Sequence, residues 1–446
     1  MRGLIWTSSV WLIAAIFASP HGFRDFIRRG TLSLTRIQLA IVAALLATHT
    51  FATVTSTEDV LANPLVIDRI LRGTLAGIAF VVIGPLLVSR VREHTNRRLP
   101  ALTTISLYVF VAGASVLYSA ASVVTAGKVF ELVAGFAIAW AIALGPTPRQ
   151  EAGDAIRFVI LLETAIVVIS VVGFFILPDV FASAKNRPGF LVRETMVGPF
   201  GHSNTLSASG ALIAAYSLGS FFQSSENRVK RSWAAVFVFG TVGVALSSGR
   251  QGLVIWLVSL IVVLWIHRRR LFLTLIGPAG AALVALNWDP IWESFQRGQA
   301  AGTFATWSGR FTYWGSAIEV WKEHPWTGYG FGAGGRFVAL DMIGVNVSSL
   351  HSGYFEVLTG VGLLGLIPLT LAVIRISIWA GKNLLAKQSI PAITIIPLLL
   401  HTLVSLGFGA WLRADFLILA FLAVLADTDA RSSVFGGDRL TRTGVP

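Results

Sequence analysis

The chain has 446 residues, of which 54% are hydrophobic and 13% charged, with a net charge of +13 and no cysteine. Soluble domains carry roughly 25% charged residues, so a water-soluble fold is excluded. Disulfides, thiolate metal sites, iron–sulfur clusters and cysteine nucleophiles are excluded as well, which leaves His, Arg, Lys, Asp, Glu and hydroxyls for any chemistry.

A bilayer core of about 30 Å needs roughly 17–25 mostly apolar residues per helix. On that rule the sequence predicts an all-α, polytopic integral membrane protein, a single membrane domain over 1–446 with roughly twelve or thirteen transmembrane helices. In chain order the expected spans are 4–18, 36–53, 70–89, 101–123, 126–144, 156–177, 205–222, 232–248, 251–266, 271–287, 351–374, 391–408 and 411–427. The first is short enough to be an interfacial helix instead, and no small-residue cleavage site after it marks a removed signal peptide.

Basic residues alternate across these spans. Arg28 and Arg29, Arg90 and Arg92, Arg97 and Arg98, Arg149 and Arg157, Lys230 and Arg231, Arg268 and Arg269, Arg375 and Lys382, and Arg439 and Arg442 all fall on one side. That side holds most of the 35 Lys and Arg residues, so it is expected to be cytoplasmic. The positive surplus is thereby a topology signal, and no nucleic-acid partner is expected.

Outside lie the loops around 54–69, 178–204 and 288–350. The third far exceeds the roughly 2–8 residues of a usual helix connection. It carries Trp288, Trp292, Trp307, Trp314, Trp321 and Trp326, which favours an ordered extracytoplasmic loop with membrane-surface helices.

Arginine on the outer side runs against the orientation rule and needs a reason. Arg187 and Arg193 lie in an outer loop and read equally as solvated loop residues or headgroup contacts. Arg250 sits in the tight turn Ser247-Ser248-Gly249-Arg250-Gln251-Gly252, where a snorkelling anchor and an anion ligand are both consistent. Arg310 opens a stretch in which 310, 314, 317 and 321 share a helical face, as in a helix lying along the membrane. The helix starts at Gly198–Thr205 and Ser348–His351 offer free N–H groups to an anion, although capping alone explains their Ser and Asn residues.

His351 enters a span at its outer end, with Tyr354 and Phe355 expected along one face and the close-packing run Gly360-Val361-Gly362-Leu363-Leu364-Gly365 beyond. An ordinary pKa near 6.5 would leave it mostly neutral and able to accept a proton. Within spans charge is sparse: Glu163 lies inside 156–177, and Lys128 and Glu131 are i,i+3 neighbours near the outer end of theirs. The sequence contains no metal-ligand cluster, and Gly328–Gly335 reads as flexible backbone rather than a dinucleotide loop.

In order, these outward motifs resemble the O-antigen ligase and polysaccharide polymerase superfamily of bacterial envelope glycosyltransferases, including exopolysaccharide polymerases. Gly201-His202-Ser203-Asn204 resembles its Gly-x-Pro-Asn turn, Ser247-Ser248-Gly249-Arg250 its Ser-x-Ser-Arg turn, and Ser308-Gly309-Arg310 with Trp314 its Arg-x-x-x-Trp helix. His324-Pro325-Trp326-Thr327-Gly328-Tyr329-Gly330 resembles its His-Pro-x-x-Gly-x-Gly segment, and His351-Ser352-Gly353-Tyr354 its His-Asn-x-Tyr helix start. The resemblance covers a core of 195–370. Ser203, Gly249 and Ser352 depart from the usual Pro, Ser and Asn, which bears on substrate subtype.

The resemblance implies a metal-independent, inverting glycosyltransferase of the bacterial inner membrane. It would move a glycan from a polyprenyl-diphosphate carrier, such as undecaprenyl diphosphate, to a glycan or lipid acceptor at the outer face, with no cofactor. In that reading Arg250 and Arg310 meet the leaving diphosphate, Arg187 or Arg193 helps, and His351 orients or deprotonates the acceptor hydroxyl. His202, Asn204, Trp314, His324 and Tyr354 join as substrate-binding residues. Polymerisation of repeat units is favoured over ligation by the look of Tyr329-Gly330-Phe331-Gly332 and of Gly353-Tyr354. A partner that sets chain length suits a polymerase and carries no sequence mark. The alternative of another class is a multi-span transporter or glycolipid flippase, in which Glu163 would matter more than His351.

Overall fold

The computed structural model describes residues 35–49, 67–93, 97–182, 195–198, 202–268, 309–345, 347, 349–385, 389–405, 407–409 and 412–436. The expected spans 4–18 and 271–287, together with Arg187, Arg193, Trp288, Trp292 and Trp307, lie outside them.

The described helices are α1 (Arg36–His49), α2 (Ile67–Glu93), α3 (Pro100–Ala114), α4 (Ser122–Ala143), α5 (Pro148–Ile176), α6 (Ser203–Gln223), α7 (Asn227–Ser247), α8 (Arg250–Ile266), α9 (Arg310–Glu323), α10 (Gly353–Leu385), α11 (Ile390–Val404) and α12 (Ala414–Gly436). Seven of them, α2 to α7 and α10, are long and apolar enough to cross a membrane; α1, α8 and α11 are shorter apolar helices. The protein is thus an all-α, polytopic membrane protein. Among the described residues the one β-type contact is the isolated bridge between Ala182 and Met196.

The core forms around α12, whose residues Phe416 to Val424 are all buried, as expected of a helix apolar on every side. Outer helices instead expose large apolar side chains, among them Val81 and Phe110, where lipid tails would meet them. Polar side chains close the helix ends. Asp427 of α12 accepts from the N–H groups of Ala101 and Leu102, at 2.9 and 3.0 Å, satisfying the start of α3. Arg97 donates to the carbonyls of Ala143 and Gly145 at the end of α4, and Arg90 pairs with Glu151 at 2.7 Å. Residues counted as topology charges therefore also act as caps and clamps.

Three expected boundaries need correction. The spans 101–123 and 126–144 meet in a turn at 118–121, where Ala120 N–H donates to Tyr329 O and Ser119 Oγ bonds Thr125 Oγ1. Helix α5 begins at Pro148, not 156, because Pro pre-organises a first helical position and the polar turns up to Arg157 continue the helix beyond the apolar stretch. Helix α10 begins at Gly353, two residues past His351, runs on to Leu385, and breaks at Gly362 (φ 59°, ψ −158°).

The connections fix which helix ends meet. Short links make α6, α7 and α8 antiparallel neighbours, so the start of α6, the end of α7 and the start of α8 share one end of the bundle. Gly353 N–H donates to Ser405 O at 2.7 Å, which places the start of α10 beside the end of α11.

Candidate functional site

One side of the site is built on the starts of α6 and α8. His202 caps α6, its Nδ1 accepting from Asn204 N–H at 3.2 Å; the cap is a histidine, where Ser or Asn was the expected type. Asn204 O accepts from Ser207 Oγ at 3.0 Å and from Gln251 Nε2 at 3.3 Å, joining the two helix starts. The α7–α8 turn is tight because Ser248 takes a left-handed conformation (φ 51°) and ends α7. A Cβ at Gly249 would strike Ser207 Oγ, so glycine stands where the resembling turn has serine. Arg250 is thereby the first residue of α8 and Gln251 is buried beside it.

The second contribution is α9. Gly309, at φ 82°, turns the chain into the helix, and Arg310 is its first residue. Ser316, Ala317 and Val320 are buried, and this face packs on Ala339, Leu340 and Leu350. Arg310 Nη2 donates to Gln251 Oε1 at 3.2 Å, which brings α9 to the α6–α8 corner. Burial, and then the like charge of Arg250, lowers the pKa of Arg310 from its usual value. Two guanidinium groups and three helix N-termini thus converge, a concentration of positive potential suited to a multiply charged anion.

The third contribution is the segment before α10. His351 is not on the helix but precedes it in a left-handed conformation (φ 54°), so the expected face shared with Tyr354 and Phe355 does not form. A non-glycine residue in that region costs about 1–3 kcal/mol and must be held there. The hold is a clamp on Leu350. Trp314 Nε1 donates to Leu350 O at 3.0 Å, Leu350 N–H donates to buried Glu356 Oε1 at 2.7 Å, and Trp314 stacks on Phe355 at 5.4 Å. The His351 ring stacks near Tyr313 at 6.4 Å between centroids. Burial, followed by the charge of Arg310 and then His202, pushes the His351 pKa down to about 3. The ring is neutral at any physiological pH, more firmly than an ordinary histidine.

Gly328–Gly335 is not the flexible stretch the sequence suggests. Gly330 N–H donates to Gly360 O, Tyr329 N–H to Thr359 O, and the N–H groups of Leu363 and Leu364 donate to Pro325 O and Trp326 O. The break at Gly362 makes this possible: a Cβ there would strike the Trp326 backbone. The run Gly360–Gly365 therefore packs against a loop segment of its own chain. A π-helical turn, Gly334–Ala339, follows.

The structure brings His202, Asn204, Arg250, Arg310, Trp314 and His351 together. His324 stands at the far end of α9, about 20 Å along its axis from Arg310 at 1.5 Å per residue, with its ring edge-on to Tyr329. Tyr354 packs against Phe408. Sequence reasoning missed Gln251 and Glu356, which link the parts. Gln251 was adjacent to a chosen arginine, and Glu356 was a carboxylate inside a span, the same signal that singled out Glu163.

The fold and this corner define a polytopic membrane protein with an anion-attracting site and a neutral histidine at one end of its helical bundle. Residues 235–370 match the O-antigen ligase family model, so this stretch, which holds Arg250, Arg310 and His351, is similar to proteins of that family. The matched stretch covers under a third of the chain. No curated protein matches the chain.

Proposed function

We propose that the protein transfers a glycan from a polyprenyl-diphosphate carrier to an acceptor hydroxyl at the outer face of the inner membrane, most often another lipid-linked repeat unit. The observation that carries the proposal is Arg310, hydrogen-bonded to Gln251, close to Arg250 and close to His351, inside the stretch similar to O-antigen ligases. The acceptor oxygen attacks the anomeric carbon from the face opposite the carrier, inverting it. The bond to the diphosphate breaks and its electron pair passes to the diphosphate oxygen, where Arg250 and Arg310 meet the developing charge. The hydroxyl proton passes to His351 and from there to water.

The low pKa of His351 refines that role. Burial first, and then the charge of Arg310, make the ring a weak base. A bound diphosphate offsets the Arg310 part of that depression and raises the ring's basicity, so the donor strengthens the base. No step calls on a metal ion, and Arg187 and Arg193 remain candidate helpers for the donor. A ligase would use the same donor side with a different acceptor.

Reconstitution tests the proposal: purified protein, a polyprenyl-diphosphate-linked repeat unit and chelator, with glycan products separated on a gel. A ladder lost in His351→Ala and Arg310→Ala supports polymerisation; a single shifted product on an added acceptor supports ligation. Normal product from both variants refutes the site. The transporter reading draws on Glu163, which is buried in α5 with Oε2 unpartnered. It requires substrate movement across the bilayer with no new glycosidic bond, and loss of that movement in Glu163→Gln.

A further inference from the structure

At the end of the bundle opposite the site, α5, α6 and α7, with Ile390 of α11, line an open cavity of about 1150 Å³. Small-molecule pockets typically hold roughly 300–1,000 Å³. The wall changes character with depth most clearly on α5, while on α7 Val229 adds an apolar residue near the mouth. Along α5 it runs from Arg149 through Arg157 to Leu161, along α6 from Gln223 to Tyr216, and along α7 from Ser232 to Val236. Arg149 and Leu161 are about 18 Å apart along the helix axis, so the polar mouth and the apolar floor occupy different depths of a leaflet.

The cations at the mouth differ in their partners. Arg149 pairs with Asp429 of α12 at 3.1 Å. Arg157 is exposed in the wall, hydrogen-bonds the Tyr216 side chain, and has no carboxylate partner among the described residues. Tyr216 in turn packs edge-on against Trp233, at 5.7 Å between centroids, so the hydroxyl that bonds Arg157 is itself fixed in place. Asp154, one turn before Arg157, lines the same mouth but is not within ion-pair distance of it. A positioned cation outside ion-pair range of any carboxylate among the described residues, above an apolar floor that reaches into the bilayer, matches a phosphate carrying acyl chains. A soluble phosphate leaves the floor unused, and a zwitterionic headgroup brings its own cation to the arginines.

We propose that this cavity binds one anionic phospholipid, with its phosphate on Arg157 and an acyl chain over Leu161 and Val236. The site is separate from the Arg250–Arg310 corner, and the proposal stands whether or not the protein is a glycosyltransferase.

The test is native mass spectrometry of the full chain, loaded with phosphatidylglycerol or phosphatidylcholine in detergent. Two variants probe the two halves of the site. Arg157→Gln removes the cation. Gly153→Trp adds bulk to the cavity from a wall position where a Cβ meets open space, and its fold is checked by an unchanged thermal unfolding midpoint in detergent. The wild-type chain is expected to retain one phosphatidylglycerol, and each variant to lower retention at least about tenfold, the loss of one charge-assisted hydrogen bond or more. Equal retention in all three proteins overturns the proposal. So does phosphatidylcholine held as firmly as phosphatidylglycerol, and so does displacement by millimolar inorganic phosphate, which would make the site one for a soluble anion.

Discussion

Glu356→Leu should slow glycan transfer without weakening donor binding. In the native protein Glu356 Oε1 takes the Leu350 N–H at 2.7 Å in a buried setting, one residue before the left-handed His351. A hydrogen bond contributes about 0.5–1.5 kcal/mol to a neutral acceptor and about 1.5–3 kcal/mol to a charged one, and the strain it opposes is about 1–3 kcal/mol. In the native protein the two nearly balance; removing the acceptor leaves the strain unopposed and the Leu350 N–H unsatisfied. A net loss of about 2–3 kcal/mol in the seated conformation lowers its population, and with it kcat, by about 30- to 150-fold. Arg250 and Arg310 are untouched, so KM for the lipid-linked donor should stay within about threefold of wild type. Glu356→Gln keeps an oxygen acceptor and should lose no more than about tenfold, since a neutral hydrogen bond contributes about 0.5–1.5 kcal/mol. The assay is initial-rate transfer in detergent or liposomes at varied donor concentration. Unchanged kcat in Glu356→Leu, or a loss confined to KM, would refute the idea that this carboxylate seats His351.

Three other outcomes are expected. Arg310→Lys keeps the charge but loses the planar fork that bonds Gln251 and a phosphate together, and should cost about 10- to 150-fold in kcat/KM; a change under threefold would remove Arg310 from the donor site. With His351 depressed to about 3 in the free enzyme, its neutral form persists down through pH 5, so kcat/KM should show no acidic limb near 6.5 that disappears in His351→Gln, while kcat, measured with the anionic donor bound, should show a limb at higher pH than kcat/KM. Gly362→Ala forces a side chain into a backbone region reserved for glycine and onto Trp326, so thermal unfolding in detergent should report a loss of at least about 3 kcal/mol, whereas Gly381→Ala, in open space on the same helix, should be neutral or slightly stabilising.

The helices were legible because apolar length is a strong signal, and α6 and α8 fall within two residues of their expected limits. Boundaries failed where other forces decided them. Hydropathy runs straight through Tyr118–Ala121, where Ser119 Oγ and, far along the chain, Tyr329 O hold the turn. The residues grouped around Arg310 were legible as motifs, since Arg250, Arg310 and His351 were each odd for their position. The contacts that hold them were not, because Gln251, Leu350 and Glu356 act through geometry that no spacing encodes. His351 was read as a helix residue because a helix start and the two residues before it look alike in sequence; its positive φ is a tertiary result. Gly328–Gly335 misled for a related reason. Glycine marks loose chain and close backbone approach equally well, and here the second holds.

The pairing of 325–334 with the broken helix also limits how the chain can change in length. Leu363 and Leu364 take the carbonyls of Pro325 and Trp326, while Gly330 and Tyr329 reach back to Gly360 and Thr359, so two backbone segments are matched residue for residue. Inserting or deleting one residue between Pro325 and Gly330 would leave one pair of contacts or the other out of step, with N–H groups stranded where water is scarce. Point substitutions in this stretch can be absorbed one at a time. A change in length cannot, so length differences between this chain and similar ones should fall outside 325–364, and peptide tags or sensor domains meant to leave the protein working should be spliced elsewhere.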